Sequence, residues 1–478
     1  MQKLMQKFLS ISNKSFFWLL LILLVFVPLY PKFPLLNIQG TFVAIRIEDL
    51  LVAATMLWWG SYILFAGLSK KMLQDKLNQA LLLFFFIGAV SLFSAIFLTN
   101  TISWHLGVLH WLRRIEFMML LPFAAYAIKS KRQLFVAVAV LFIVAFTVNV
   151  YALGQEFLDW PVVSTGNSEF SKGQILRLTP DARVNSTFAG HYDLAVFLVL
   201  IITIATALIF SLKKVLFNLW LAILSGLSFF VLVMTAARLS FVAMAVGVGI
   251  SLLLTRKKIF ILLMGLFMVG ALIYPSQLRD RFVSTITINL QKNGERYTAE
   301  DKEQKLRSKL NIPTLMVNTS SQSAQPKFES TSSGIASDIT PGEPTDPTQL
   351  GVYRSFAIRL DQEWPRAIRA FIKNPFLGSG YSSLGLATDN DFLRSLGEVG
   401  LLGTIAFVLI FVEVIKRLQK AYRVKDLFLK YFSAGVLAVV IAFIVNGIFI
   451  DVFEASKIAA IFWIILGMGL AIRNFSNE

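Results

Sequence analysis

Twelve apolar runs, separated by polar connections, leave this chain few ways to fold: 16–30, 43–68, 80–98, 104–128, 134–153, 191–212, 215–235, 239–255, 259–274, 396–414, 428–450 and 458–472. A hydrocarbon layer about 30 Å thick takes ~20 apolar residues as a helix that satisfies its own backbone hydrogen bonds. The sequence therefore predicts an all-α, polytopic bundle of about twelve transmembrane helices. Composition agrees, since 56% of the 478 residues are hydrophobic, 15% are charged, and the mean hydropathy is +0.68.

Charge placement orients the bundle, because basic residues collect on the cytoplasmic side of membrane proteins. Lys3, Lys7 and Lys14 precede the first run. The even-numbered connections then hold Lys70, Lys71 and Lys76, next Lys129, Lys131 and Arg132, next Lys213 and Lys214, next Arg256, Lys257 and Lys258, and last Lys416, Arg417, Lys420 and Arg423. All fall on one side. Both termini are thus expected inside, with the long connections 155–190 and 275–395 outside. The net charge of +17 reads as topology and not as a nucleic-acid surface. No small-x-small site follows the first run, so it reads as an uncleaved helix. With no cysteine, disulfides, thiolate metal sites and a cysteine nucleophile are excluded.

Three regions follow: 1–275 with the first nine helices, an extracytoplasmic loop over 276–395, and 396–478 with the last three helices. Within the loop, 312–350 is rich in Ser, Thr, Pro and Gln and reads as a flexible insert. Asn318-Thr319-Ser320 and Asn185-Ser186-Thr187 match the short glycosylation pattern. No internal repeat is evident, which disfavours transporters built from two similar halves.

The residues that could carry chemistry lie at the outward side. Arg183 stands at the mouth of the sixth helix, and Arg238 in the turn between the seventh and eighth. A guanidinium fork near hydrocarbon suits a lipid-linked phosphate, or else snorkels to headgroups. Arg46 with Asp49, and Arg113 with Glu116, are spaced to neutralise each other along one helix, Glu48 and Arg114 lying beside them. The stretch 353–403 is the polar segment among membrane helices. It carries Arg354, Arg359, Arg366 and Arg369 on an amphipathic helix, then Asn374-Pro375, Gly378 and Gly380, then Asp389-Asn390-Asp391 before the tenth apolar run. Asp391 is the natural cap or first-turn acid, leaving Asp389 as a candidate general base. His191 and Asp193, close to Arg183, are accessory acid or base candidates.

Three stretches, in this order, resemble the O-antigen ligase and O-antigen polymerase superfamily: RVNSTFAGHYDLA (183–195), TAARLS (235–240), and 364–403, whose KNPFLGSG and DNDFLRSLGEVGLLG are similar to that family's NPxxGxG and HNxxLxxxxExGxxG. The resemblance implies an inverting, metal-independent glycosyltransferase of the bacterial cytoplasmic membrane that needs no cofactor. Its donor would be a glycan on undecaprenyl diphosphate, its acceptor a glycan or glycolipid hydroxyl outside the membrane, and its surroundings membrane lipids. Arg183 and Arg238 would hold the diphosphate, with Arg354 or Arg359 nearby, and Asp389 would act as base where ligases commonly carry histidine.

The alternative is a transporter or flippase of lipid-linked glycans, which needs charges along the cytoplasmic half as well. A membrane glycosyltransferase of the septal peptidoglycan type shares the chemistry but not the motif order. A non-catalytic scaffold would tolerate loss of the arginines.

Overall fold

A computed structural model describes residues 2–38, 44–163, 175–176, 182–212, 214–287, 347–385 and 387–475. Most of the expected insert, including Asn318, lies outside the described residues. So does part of the 155–190 connection.

Every expected apolar run lies on a helix. These are α1 Gln2–Leu29, α2 Ile47–Phe65, a short α3 Ser69–Leu73, α4 Lys76–Phe93 continued by a π-helical turn Ser94–Leu98, α5 Trp104–Ala127, α6 Lys131–Phe157, α7 His191–Leu208, α8 Val215–Met234, α9 Arg238–Leu254 and α10 Ile259–Ile273. After α11 Gln277–Thr287 come α12 Pro347–Ile358, α13 Trp364–Lys373, α14 Asp391–Ala421, α15 Leu427–Asn446 and α16 Ser456–Ala471. Two antiparallel pairs, Leu36–Asn37 with Ala44–Ile45 and Val162–Val163 with Ile175–Leu176, are the strands among the described residues.

Among the described residues nine helices are long and apolar enough to cross a membrane. The other three expected spans depart for visible reasons. α9 has 17 residues and α10 has 15, while α5 carries Arg113, Arg114 and Glu116 in its middle. α16 is the axis, buried at every residue, whereas α8 is largely uncovered and lies at the rim. α16 packs on α5, and α15 packs on α7 and α9. Phe443 of α15 stacks on Phe462 of α16 with ring centres 3.8 Å apart.

Two compact units divide the chain: 1–279 with 358–478, and 280–357. In the second unit, residues 280–287 and 347–357 are described, and they are helical.

Hydrogen bonds sort the helix ends of the first unit. At one end, Arg417 holds Asp75 through both nitrogens at 3.0 and 2.7 Å, Lys131 meets Asp426, Lys129 meets Asn13, and the Tyr422 hydroxyl donates to Leu254 O at 2.6 Å. These are connections that the charge pattern groups on one side. At the other end, the α15–α16 turn, 446–457, is the hub. Ser240 donates to Asn446 at 2.8 Å, the Asp391 N–H to Gly447 O at 2.9 Å, and Lys457 to Thr187 O at 2.6 Å.

α14 differs most from expectation. It begins at Asp391 and runs 31 residues, but Gly400 breaks it with φ 65° and ψ −167°. That conformation belongs to glycine. The loop after α13 lies in the break: Ser379 N–H donates to Gly397 O and Gly380 N–H to Glu398 O, while Leu401 and Leu402 N–H donate to Pro375 O and Phe376 O. Ser91 of α4 adds a bond to Glu398 O at 2.9 Å. A helix broken at membrane depth survives where neighbours satisfy its freed backbone groups. The two glycine motifs of the sequence are thus the two sides of one contact.

Candidate functional site

Asp451, in the α15–α16 turn, builds the 388–390 turn. Its Oδ2 accepts the N–H groups of Thr388 at 2.7 Å and Asp389 at 3.1 Å, and its Oδ1 that of Asn390 at 3.2 Å. Arg394 adds an ion pair at 3.0 Å. Burial opposes the charge, yet Arg394 and these N–H donors outweigh it and hold the Asp451 carboxyl below its ordinary value. The cradle accommodates Asp389 at φ +49°, a left-handed conformation that aspartate tolerates better than most residues.

Capping falls to Asn390, whose side chain accepts the Leu393 N–H at 2.9 Å. Asp391, expected as cap or first-turn acid and as an accessory group, is the first-turn acid of α14, 5% exposed and facing inward. Its two oxygens accept the N–H groups of Val452 at 2.8 Å and Phe453 at 3.4 Å. This carboxylate is committed to joining α14 to the 451–453 turn. Below it, Arg394 reaches Glu398 at 3.2 Å with both side chains 3% exposed.

The Asp389 carboxylate remains 31% exposed and lies 2.6 Å from the Arg359 guanidinium. Arg359 opens a π-helical turn, Arg359–Glu363, between α12 and α13. Such turns widen the backbone and recur at functional sites. The same turn ends on Glu363, which is 9% exposed and whose Oε2 is buried without a hydrogen-bond partner. Burial and then the Asp389 charge push Glu363 up to about 7, against the pull of Arg359. Asp389 is also raised, by burial first and by Asp451, again opposed by Arg359. Two carboxyl groups around one guanidinium are thereby tuned upward and a third, Asp451, downward.

The other expected residues form a second group at this end. Arg183 donates to Nε2 of His191 at 2.6 Å. Asp193 pairs with Lys32 at 3.5 Å, and burial draws the Lys32 ammonium down to about 8 despite that partner. Lys457, fully buried, is held by the carbonyls of Pro28, Tyr30 and Thr187, with its ammonium 5.2 Å from the Phe188 ring. Arg238 is the first residue of α9, two positions before the Ser240–Asn446 bond. Arg354 lies on α12 in the unit 280–357 and is described only there. The structure therefore joins Asp389 to Arg359, and Arg183 to His191, as direct pairs. It ties the segments bearing Arg183 and Arg238 to the Asp389 turn through 446–457.

The charges within α2 and α5 pair across helices and not along one helix. Arg113 faces Asp49 at 3.8 Å, and Arg114 meets Glu454 and donates to Phe453 O at 3.2 Å. Asp49 caps its own helix by accepting the Arg46 N–H at 3.0 Å. Asn185 is buried, with its side chain donating to Phe188 O at 3.0 Å, and does not suit a glycosylation site.

Sequence reasoning passed over Glu363, Asp451 and Lys457. DVFEASK, 451–457, is short and follows an apolar run, so it reads as a plain connection. An acid at one end and a lysine at the other were the available signal.

Beside Ala182, the neighbour of Arg183, an apolar cavity of about 600 Å³ lies among Phe229, Val233, Phe267, Ala271 and Tyr274. The site end thus offers an apolar recess that begins one residue from Arg183, and a tuned carboxylate next to a second cation. No protein-family model matches the chain, and a search of the curated proteins finds no match.

Proposed function

We propose that the protein is a membrane glycosyltransferase of the O-antigen ligase and polymerase type, crossing the membrane twelve times with both termini inside. It moves a glycan from a polyprenyl diphosphate to an acceptor hydroxyl on the outer side of the bacterial cytoplasmic membrane. The observation that carries this reading is the Asp389 carboxylate: partly exposed, paired with Arg359, and standing on a turn held by the 446–457 connection, which also bonds to the segments that carry Arg183 and Arg238.

In the proposed reaction, the acceptor O–H gives its proton to Asp389 as the oxygen attacks the anomeric carbon. The bond from that carbon to the diphosphate oxygen breaks, and the electron pair leaves with the diphosphate. Cations fixed in advance favour that growing charge, which suits Arg183 and Arg238. The apolar cavity beside Ala182 suits the polyprenyl chain. Arg359 orients the base. Among the described residues, the buried charged side chains lie toward the site end, and this favours a one-sided reaction centre over a transport path.

The test is transfer in reconstituted vesicles from an undecaprenyl diphosphate-linked oligosaccharide to a labelled glycan acceptor. Arg183→Ala and Arg238→Ala should abolish transfer while protein levels hold. Normal transfer in both would sink the proposal.

A further inference from the structure

At the end opposite Asp389, two recesses lie side by side with part of their walls in common. The first, of about 730 Å³, has Lys71, Asp75, Tyr126, Lys129, Arg417 and Arg473 in its wall. The second, of about 330 Å³, is apolar and lies between α2, α4 and α5, with Trp59, Gly60, Ile63, Leu82, Phe85 and Met119 in its wall. Met72, Asn78 and Pro122 line both. A basic mouth and a greasy crevice are therefore neighbours across these three residues.

The charges at the mouth do not cancel. Arg417 is committed to Asp75, which accepts both of its nitrogens and also caps α4 through Leu77 and Asn78 N–H. Lys129 meets neutral groups, the Asn13 side chain and carbonyl and the Tyr126 ring. Among the described residues, Lys71 and Arg473 meet no carboxylate. In the crevice wall, Trp59 is 1% exposed and its indole N–H has no acceptor.

We propose that this is a binding site for one anionic phospholipid of the leaflet at the basic end. The headgroup phosphate sits among Lys71, Lys129 and Arg473, and the upper part of one acyl chain fills the crevice. Charge complementarity selects this occupant. Anionic lipids collect at the cytoplasmic face and are attracted by clustered Lys and Arg. A zwitterionic headgroup would bring its own cation to a basic mouth. A free phosphate would leave the apolar crevice empty. The site lies apart from Asp389, so it stands or falls independently of the glycosyl-transfer reading.

Native mass spectrometry of the full-length protein, released from detergent with added phosphatidylglycerol, phosphatidylcholine or glycerol 3-phosphate, tests it. One phosphatidylglycerol should persist per chain. Lys71→Gln/Lys129→Gln/Arg473→Gln should weaken it by roughly tenfold or more. Gly60→Leu should weaken it similarly without touching a charge, since a Cβ at Gly60 meets nothing within 4 Å and the longer side chain occupies the crevice. Lipid-free melting temperatures establish that each variant folds, and Gly60→Leu reads the site even if the triple variant does not. Equal retention of phosphatidylcholine, equal phosphatidylglycerol retention in Gly60→Leu, or full competition by glycerol 3-phosphate would each overturn the proposal.

Discussion

The Asp451 carboxylate accepts the backbone N–H of Asp389 at 3.1 Å, so one acid aims another from a different loop. The aiming acid is held ionised by Arg394, while the aimed acid is raised by burial and left partly exposed. A carboxylate with structural work and a carboxylate with proton affinity are thereby separated, although both come from the same end of the bundle.

Asp389→Asn keeps the size of the side chain and an oxygen for Arg359 but removes the proton acceptor. Transfer per folded molecule should fall about 10²- to 10⁴-fold, the range expected for a general base. Asp391→Asn should behave differently. Its carboxylate is spent on Val452 and Phe453 N–H, so the loss should appear as less folded protein with near-normal turnover of what folds. Initial rates normalised to folded protein separate the two. Equal rate losses would mean that the turn acts only as a scaffold.

Asp451→Ala removes the acceptor of three backbone N–H groups and a partner of buried Arg394. Breaking a buried ion pair by deleting one partner costs about 3 to 5 kcal/mol. The depressed Asp451 carboxyl also sets a pH sign. Its contribution is present above the unfolded value of 3.8 and is lost as pH falls through the lower folded value. Melting temperatures of the wild type should therefore drop below about pH 4, and Asp451→Ala should be unstable already at neutral pH. A variant as stable as wild type at pH 7 would contradict the cradle.

The helices were legible because each hydrophobic run is long enough to dictate its own secondary structure, and the basic clusters mark one end consistently with the bonds of Asp75, Lys131 and Asp426. The site was legible in part. Asp389 and Arg359 stood out as charges on a polar stretch, but their pairing is closed by a π-helical turn that no spacing rule announces. Asp451 lies 62 positions from Asp389, and tertiary contact alone gives it a role. Asp391 is the first-turn acid that the sequence allows, while the cap is Asn390; its further bonds to the 451–453 turn come from tertiary contact that no local spacing shows. The α2 and α5 charges pair across helices, where intrahelical spacing could not locate them.

Gly400→Ala and Gly378→Ala should both be destabilising. Gly400 has φ +65° and a Cβ there would fall 2.4 Å from the Phe376 carbonyl, while at Gly378, φ +70°, it would fall 2.5 Å from that of Glu398. Backbone strain alone costs about 1 to 3 kcal/mol, before the contact forces the two strands of backbone apart. Hydrogen exchange should show lost protection at Leu401 and Leu402, whose N–H groups bond to Pro375 O and Phe376 O. Unchanged protection would mean that the break in α14 is held by something other than this contact.

Glu363 gives the clearest pH test. Its folded value of about 7 stands above the unfolded 4.5, so the folded state keeps a proton that the unfolded chain has released between those values. Stability should therefore fall as pH rises from 4.5 to 7, and Glu363→Gln should remove that slope. Activity should follow the same group. Below about 7 the neutral Glu363 leaves Arg359 to Asp389, and above it a second carboxylate competes for the guanidinium and, in the proposed reaction, would repel the incoming diphosphate. Wild-type transfer should decline above pH 7, and Glu363→Gln, fixed in the neutral form, should hold its rate toward pH 8. The measurement is initial rate against pH in the same vesicles for both proteins. Superimposable profiles would detach Glu363 from the reaction and leave its raised proton affinity a consequence of burial alone.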